Sequence, residues 1–289
     1  MKEPVARTYR SQGLQLHYAD WGRDGAPILL LLHGGRDHCR NWDWLAQSFC
    51  DRYRIIAPDL RGHGDSDHVS GGAYTMSSWV YDIATLIDLL DVPQLDIVAH
   101  SLGGNIALRY AGIYPERVRR LVAIEGLGPS PKYQAEMESV PMAQRLAKWI
   151  ADARAREGRR PRAYASIAEA AARMQAQFPH LSPEITHHLT LYGVRREADG
   201  YHWKFDPALY VPHLDDIPRP DIRTLWQNIR CPTLLVYGCD SWASNPAEDG
   251  RIHYLPQAEL LRVPKAGHWV HHDQFALFRD AVAEFLARP

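Results

Sequence analysis

One segment constrains the fold of this chain more than any other: Asp96-Ile97-Val98-Ala99-His100-Ser101-Leu102-Gly103-Gly104. An apolar run that predicts a buried strand leads directly to Ser101, and a helical pattern follows without a loop. So sharp a turn strains the backbone of the serine and needs small residues two positions before and after it, where Ala99 and Gly103 stand. The segment therefore predicts a strand–turn–helix unit that holds the Ser101 hydroxyl exposed at the carboxyl edge of a sheet.

Strand and helix patterns alternate around this unit. Residues 14–18 alternate apolar and polar side chains, which is typical of a half-exposed strand. The continuous apolar run Ile28–Leu32 indicates a central strand buried on both faces. Helical spacing of apolar residues predicts helices over 76–90 and 275–286, and further strands are predicted at 53–57, 95–98, 121–124, 233–236 and 260–263. We therefore expect an α/β fold with a mostly parallel central sheet flanked by helices.

Residues 129–222 break this rhythm. No buried-strand pattern occurs there, whereas Ser166 with Glu169 fits a helix capping box and Ser182-Pro183 fits a helix start. We expect an inserted helical cap over 129–222, with residues 1–128 and 223–289 forming the core. The aromatic residues of the cap include Trp149, Phe178, Tyr192 and Trp203. Most of them are expected to pack in a core, and one or two are expected to line the substrate cavity.

Composition points away from nucleic acid and membranes as partners. The 289 residues include 33 Lys plus Arg and 34 Asp plus Glu, for a net charge of −1, so the chain as a whole does not attract polyanions. A basic run in the insertion is interpreted as a solvated helix end: Arg154, Arg156, Arg159, Arg160 and Arg162. No signal peptide or membrane span is visible, and the four cysteines lack metal-binding spacing. We expect a cytoplasmic protein with reduced thiols.

The segment around Ser101 resembles the nucleophile elbow of the α/β-hydrolase fold family, with Ala99 where that motif usually has Gly. The resemblance covers almost the whole chain, and an insertion after the sixth strand is also usual in that family. Three further motifs carry it: His33-Gly34-Gly35, Asp59-Leu60-Arg61-Gly62-His63-Gly64-Asp65-Ser66, and Ala266-Gly267-His268. The resemblance implies a serine nucleophile, whereas epoxide hydrolases and dehalogenases of this fold have Asp at that position.

A serine hydroxyl becomes a nucleophile only when a base takes its proton. His268 is the candidate base, because it follows the last strand in the order Ser, acid, His that the family requires. His271 and His272 are expected to begin the last helix and face outward. No metal site is expected at His268 and His271, since no third ligand is suitably spaced.

The developing oxyanion needs two backbone N–H donors. One candidate is the N–H of Leu102, directly after the nucleophile. The other is expected in the His33-Gly34-Gly35 loop, at Gly35, with Arg36 next in line. Asp59 and Asp65 are interpreted as turn residues.

The acid of the triad has two candidates. The family most often places the acid after the strand predicted at 233–236, at the third position after a Gly. Counted from Gly238 this position is Ser241, and Asp240 stands one residue earlier. A shift of one residue can turn a side chain to the other face. Some haloalkane dehalogenases use the end of the sixth strand, where this chain has Glu125. We expect Glu125 to be the acid, with Asp240 as the alternative and a purely structural Glu125 as the other possibility.

These residues predict a serine hydrolase that cleaves carboxylic esters or lactones through an acyl-enzyme and needs no cofactor. The expected partner is a small-molecule ester or lactone. Two other functions stay open. One is hydrolysis of a C–C bond in ring-cleavage products, and the other is a ligand-sensing receptor or a lyase on the same fold.

Overall fold

An eight-stranded sheet forms the centre of the protein. The structure is a computed structural model that describes residues 2–72, 74–156, 161–211 and 218–288. Its strands are β1 (Val5–Ser11), β2 (Leu14–Asp20), β3 (Ile28–Leu32), β4 (Arg54–Pro58), β5 (Leu95–His100), β6 (Val118–Ile124), β7 (Val194–Glu197), β8 (Gly200–Trp203), β9 (Thr233–Gly238) and β10 (Ala258–Val263). The main sheet has the order β1-β2-β4-β3-β5-β6-β9-β10, and β7 and β8 pair separately.

The predicted mostly parallel sheet is confirmed. The six strands from β4 to β10 in the sheet order run parallel, whereas β2 runs antiparallel to both of its neighbours, β1 and β4. Every residue of β3 is buried. Leu30 and Leu32 pack into the cluster on one face, and Leu29 and Leu31 pack into the cluster on the other. Side chains alternate along a strand, so burial on both faces explains the unbroken apolar run.

Helices cover both faces of the sheet. They are α1 (Asp43–Phe49), α2 (Met76–Leu89), α3 (Leu102–Ile113), α4 (Pro131–Ser139), α5 (Met142–Arg156), α6 (Ile167–Gln177), α7 (Pro183–Gly193), α8 (Arg219–Gln227), α9 (Val270–Asp273) and α10 (Phe275–Ala287). Helices α2, α3 and α8 contribute to one core cluster, and α1 and α10 contribute to the other. In the described part of the chain, none of these helices combines the length and apolarity needed to cross a bilayer.

The segment between β6 and β9 is not purely helical. It contains α4 to α8, but also the β7–β8 hairpin, which the prediction of a helical insertion did not include. Most residues of β7 and β8 are exposed or only partly buried, so no apolar pattern marks them. Ser166 and Ser182 cap α6 and α7 as predicted, each accepting a hydrogen bond from the N–H three residues later. The expected boundary at residue 222 falls inside α8, which packs on the core, and the division into core and cap stays a prediction.

His271 and His272 do not face outward, and that expectation is wrong. Both lie in α9 and are buried, with 3% and 8% of their surfaces exposed. Each donates from Nε2 to Oδ1 of Asn41, at 2.9 and 2.8 Å, and Asn41 donates from Nδ2 to the buried carboxyl of Asp37. Hydrogen bonding offsets the cost of burying these polar groups, which is why two adjacent histidines can lie in the interior.

Buried His272 should make the folded protein less stable as the pH falls. Burial, reinforced by His188 and His38, lowers the pKa of His272 from 6.5 to about 3. Between these values the unfolded chain binds a proton that the folded protein does not, so stability present above pH 6.5 is lost as the pH falls. In urea titrations between about pH 6.5 and 4.5, His272→Gln should reduce the slope of unfolding free energy against pH by up to about 1.4 kcal/mol per pH unit.

The matched control for this titration is His253→Gln, because water reaches the His253 side chain in the folded protein. Glutamine at position 272 keeps an N–H donor for Asn41, which limits structural disturbance. A slope in His272→Gln equal to that of the wild type would show that His272 is not buried in its neutral form.

Candidate active site

Ser101 occupies a junction between β5 and α3 that has no room for a loop. Its φ and ψ are 50° and −112°, a conformation that costs a residue other than glycine about 1–3 kcal/mol. A Cβ atom on Gly103 would lie 2.5 Å from the carbonyl oxygen of Leu32. A Cβ atom on Gly104 would lie 2.7 Å from Cα of Gly126. The close approach of α3 to the neighbouring strands therefore requires glycine at both positions, and it holds Ser101 at the carboxyl edge of the sheet.

His268 lies between β10 and α9, with one ring nitrogen on each side of a hydrogen-bonded chain. Its Nε2 is 3.0 Å from Oγ of Ser101, and its Nδ1 is 2.9 Å from Oε2 of Glu125. With the proton on Nδ1 donated to the carboxylate, Nε2 can accept the serine proton. The arrangement is that of a nucleophile, a base and an acid that orients the base.

His100 fixes the backbone of His268. Its Nε2 donates to the His268 carbonyl at 2.9 Å, and the two rings are 4.8 Å apart. Burial is the largest cause that lowers the pKa of His100 well below its ordinary value, with nearby His268 adding to the effect. Sequence reasoning missed this residue, because the elbow motif accepts any residue directly before the serine.

Of the two candidate acids, the structure brings Glu125 and not Asp240 to His268. The Glu125 side chain is fully buried, at the end of β6. Its Oε1 accepts the N–H of Gly238 at 2.9 Å, and its Oε2 accepts the Ser241 hydroxyl at 2.5 Å in addition to His268. Glu125 thus combines the triad contact with the loop-amide contact that a structural carboxylate would make.

Asp240 is exposed, and its backbone N–H donates to the carbonyl of Ala266 at 2.9 Å. The position where the family usually has its acid holds Ser241, whose hydroxyl supports Glu125. Asp240 stands one residue before that position and does not contact His268 in the structure, because neighbouring side chains at a strand end point in different directions.

The expected oxyanion donors, Leu102 and Gly35, line the same cavity as Ser101. Leu102 is the first residue of α3, so its N–H has no carbonyl within the helix to bind. The loop that carries Gly35 is held by His33, whose Nδ1 lies 2.7 Å from the Gly34 carbonyl and whose Nε2 accepts the N–H of Leu60 at 3.0 Å. Both residues thus lie at the cavity, and the role of their N–H groups stays a prediction.

A cavity of about 710 Å³ lies over Ser101 and His268. Aromatic rings from the core and from the insertion contribute to its wall, among them Trp242, whose ring is 4.7 Å from that of His268. Of the four insertion aromatics considered in the sequence, Phe178 and Trp203 line the cavity, whereas Trp149 and Tyr192 are not among the described lining residues. The volume is within the ~300–1,000 Å³ of small-molecule sites.

The basic run in the insertion is not simply a solvated helix end. Arg156 and Arg162 line the cavity, as do Arg36 and Arg173 from other elements. Arg154 is exposed, and Arg159 and Arg160 lie outside the described residues. The sequence could not separate these cases, because the spacing of arginines does not show which side chains border a cavity that several elements enclose.

Possible metal ligands gather away from this cavity. Within the described ranges, two groups of three side chains could hold an ion: His17 with Cys39 and Asp59, and Glu197 with Asp199 and His202. In the first group Nδ1 of His17 already contacts Oδ2 of Asp59 at 2.8 Å. Asp59 also accepts the N–H of Cys39 and Asp65, so its carboxylate organises the local turns, as expected.

Two known proteins align with 90% or more of this chain. The chain is 29% identical over 279 residues to a putative 2-succinyl-6-hydroxy-2,4-cyclohexadiene-1-carboxylate synthase of Bacillus subtilis, with 96% of each chain covered. It is 30% identical over 277 residues to the mouse sn-1-specific diacylglycerol lipase ABHD11, with 90% of this chain and 81% of the lipase covered.

Among solved structures, a thioesterase domain from the curacin biosynthetic pathway is similar over 97% of this chain and 99% of its own, with a TM-score of 0.82 and 25% identity. A family model described as the alpha/beta hydrolase fold matches residues 27–275. That range begins just before β3 and includes Ser101, Glu125 and His268. With this match over most of its length, and with the elbow and sheet order described above, the chain belongs to the α/β-hydrolase fold family.

Proposed function

We propose that the protein is a serine hydrolase that cleaves carboxylic esters or lactones through an acyl-enzyme. The proposal depends on one observation, the unbroken chain of hydrogen bonds from Ser101 through His268 to Glu125, at 3.0 and 2.9 Å. These distances are within the range for proton transfer between a nucleophile and its base. A cavity of small-molecule size opens onto the serine.

In the first half of the reaction, Nε2 of His268 takes the proton of Ser101, and Oγ attacks the acyl carbon. The N–H groups of Leu102 and Gly35 stabilise the oxyanion, at about 3–4 kcal/mol for each donor in comparable sites. The tetrahedral intermediate collapses when His268 gives its proton to the leaving alcohol, which leaves an ester on Ser101. Glu125 stays ionised and stabilises the imidazolium.

The second half repeats these steps with water. His268 takes a proton from the water molecule, whose oxygen attacks the acyl carbon bound to Ser101. Collapse of the second intermediate returns the proton to Oγ and releases the carboxylic acid. A lactone follows the same course, with the alcohol and the acid in one product.

A lyase is the second candidate function. It is favoured by the similarity to a relative named as a synthase, at 29% identity over nearly the full length of both chains. In such an enzyme Ser101 and His268 would remove a substrate proton without forming an acyl-enzyme. A panel of p-nitrophenyl esters of increasing chain length, together with lactones, separates the two. Repeated turnover supports the hydrolase, and no turnover with any member of the panel favours the lyase.

Replacing the nucleophile should abolish hydrolysis. We expect Ser101→Ala to lower kcat on the best ester of that panel by at least ~10⁴-fold, because alanine suits the tight junction but has no hydroxyl. Circular dichroism and thermal unfolding should show an intact fold. Ser139→Ala, at an exposed serine of α4, is the matched control and should keep wild-type activity. Hydrolysis by Ser101→Ala within tenfold of the control would rule out Ser101 as the nucleophile.

Replacing the acid should separate Glu125 from Asp240. Glu125→Gln should lower kcat by ~10³ to 10⁴-fold, because a neutral amide cannot stabilise the imidazolium and can favour the wrong tautomer. Asp240→Asn makes the same chemical change at the exposed neighbouring position and should cost less than ~10-fold. The reverse order of effects in ester hydrolysis would assign the acid to Asp240.

A further inference from the structure

Among the described residues that line the cavity above Ser101, positively charged side chains outnumber negatively charged ones. Four arginines line it: Arg36, Arg156, Arg162 and Arg173. Arg162 is paired with Glu169 at 3.3 Å. Among the lining residues that the structure describes, Asp37 is the one carboxyl group, and burial raises the pKa of this group to about 7. In this described part of the wall, three guanidinium groups therefore remain against a single carboxyl group.

Two of these guanidinium groups lie against the same aromatic ring. Cζ of Arg36 lies 4.7 Å from the centre of the Tyr210 ring, and Cζ of Arg156 lies 4.9 Å from the same centre. Arg36 belongs to the loop after β3, and Arg156 ends α5, so two separate elements each place a positive charge against the Tyr210 ring. In the described part of the chain, neither guanidinium has a carboxylate partner. Guanidinium groups without carboxylate partners make the potential in a cavity positive, which favours an anionic ligand there.

Guanidinium groups bind carboxylate and phosphate oxygens through paired N–H donors, with directional and charge-assisted hydrogen bonds. We propose that the substrate carries an anionic oxygen group, a carboxylate or a phosphate, and that Arg36, Arg156 and Arg173 bind it in the cavity above Ser101. This inference rests on the proposed function in one respect, namely that the same molecule carries the ester. The aromatic wall and the cavity volume of about 710 Å³ favour a small organic anion over a polymer.

The first test compares two esters that differ only in charge. Mono-p-nitrophenyl adipate has a carboxylate where p-nitrophenyl 6-methylheptanoate has an isopropyl group. The ratio of kcat/KM for the adipate to that for the neutral ester should fall about tenfold or more in Arg156→Gln and in Arg173→Gln, mainly through KM. Arg154→Gln, in the same helix as Arg156 but outside the lining of the cavity, is the matched control and should keep the wild-type ratio.

A second pair tests an anion on the leaving group. Acetyl-coenzyme A carries phosphates, and S-acetyl-N-acetylcysteamine is its neutral, truncated analogue. Here the ratio is kcat/KM for acetyl-coenzyme A divided by that for S-acetyl-N-acetylcysteamine. If the arginine variants lower this ratio tenfold and leave the adipate ratio unchanged, the arginines bind a phosphate on the leaving group. If they lower only the adipate ratio, the arginines bind a carboxylate on the acyl group. Ratios unchanged by both arginine variants in both pairs would overturn the inference.

A binding measurement separates this inference from the proposed function. Ser101→Ala lacks the nucleophile, so calorimetry can measure the Kd of monoethyl adipate and of coenzyme A without turnover. Adding Arg156→Gln should weaken one of these ligands about tenfold, and adding Arg154→Gln should not. If Arg156→Gln weakens binding but the wild-type protein hydrolyses no ester, only the proposed function is overturned. Equal or undetectable binding of both ligands by Ser101→Ala and its Arg156→Gln derivative would overturn this inference.

Discussion

The close approach of α3 to the carboxyl edge of the sheet determines the geometry of the whole site. The N–H of Ser101 donates to the carbonyl of Ile124 at 2.8 Å, and the N–H of Gly103 donates to the carbonyl of His33 at 3.1 Å. The junction is thereby tied to the end of β6 and to the loop after β3. Those two segments carry Glu125 and Gly35, so the proposed nucleophile, the proposed acid and one expected oxyanion donor are positioned by the same tight turn. Glycine is required where the backbones meet.

A buried glutamate completes this arrangement at a cost that its partners offset. An ionised carboxylate without water is strongly destabilising unless it is paired and hydrogen-bonded. Glu125 accepts from Gly238, Ser241 and His268, which lie in or after β9 and after β10. The usual acid position after β9 has become a hydroxyl donor, and the longer glutamate side chain reaches the imidazole from β6. The triad and the loop after β9 are therefore one hydrogen-bonded unit.

Much of the fold could be predicted because strands buried on both faces have strong apolar patterns. β1 was missed because most of its residues are exposed at the edge of the sheet, and β7 and β8 were missed for a similar reason. Ser101 and His268 follow from motifs in continuous sequence. The acid could only be narrowed to two residues, because the choice depends on side-chain reach between strands. His100 binds the backbone of His268, and Arg156 lines a cavity formed by several distant segments. Neither contact can be read from periodicity or motif spacing.

The proposed function requires the hydrogen-bonded chain from Ser101 through His268 to Glu125 to make Ser101 a nucleophile. Its most direct test is mass spectrometry of the peptide that contains Ser101 after treatment with a fluorophosphonate. We expect one adduct, on Ser101, and slower labelling in Glu125→Gln, because the imidazole is then less able to take the serine proton. A folded wild-type protein in which Ser101 stays unlabelled, or in which another serine takes the adduct, would contradict it.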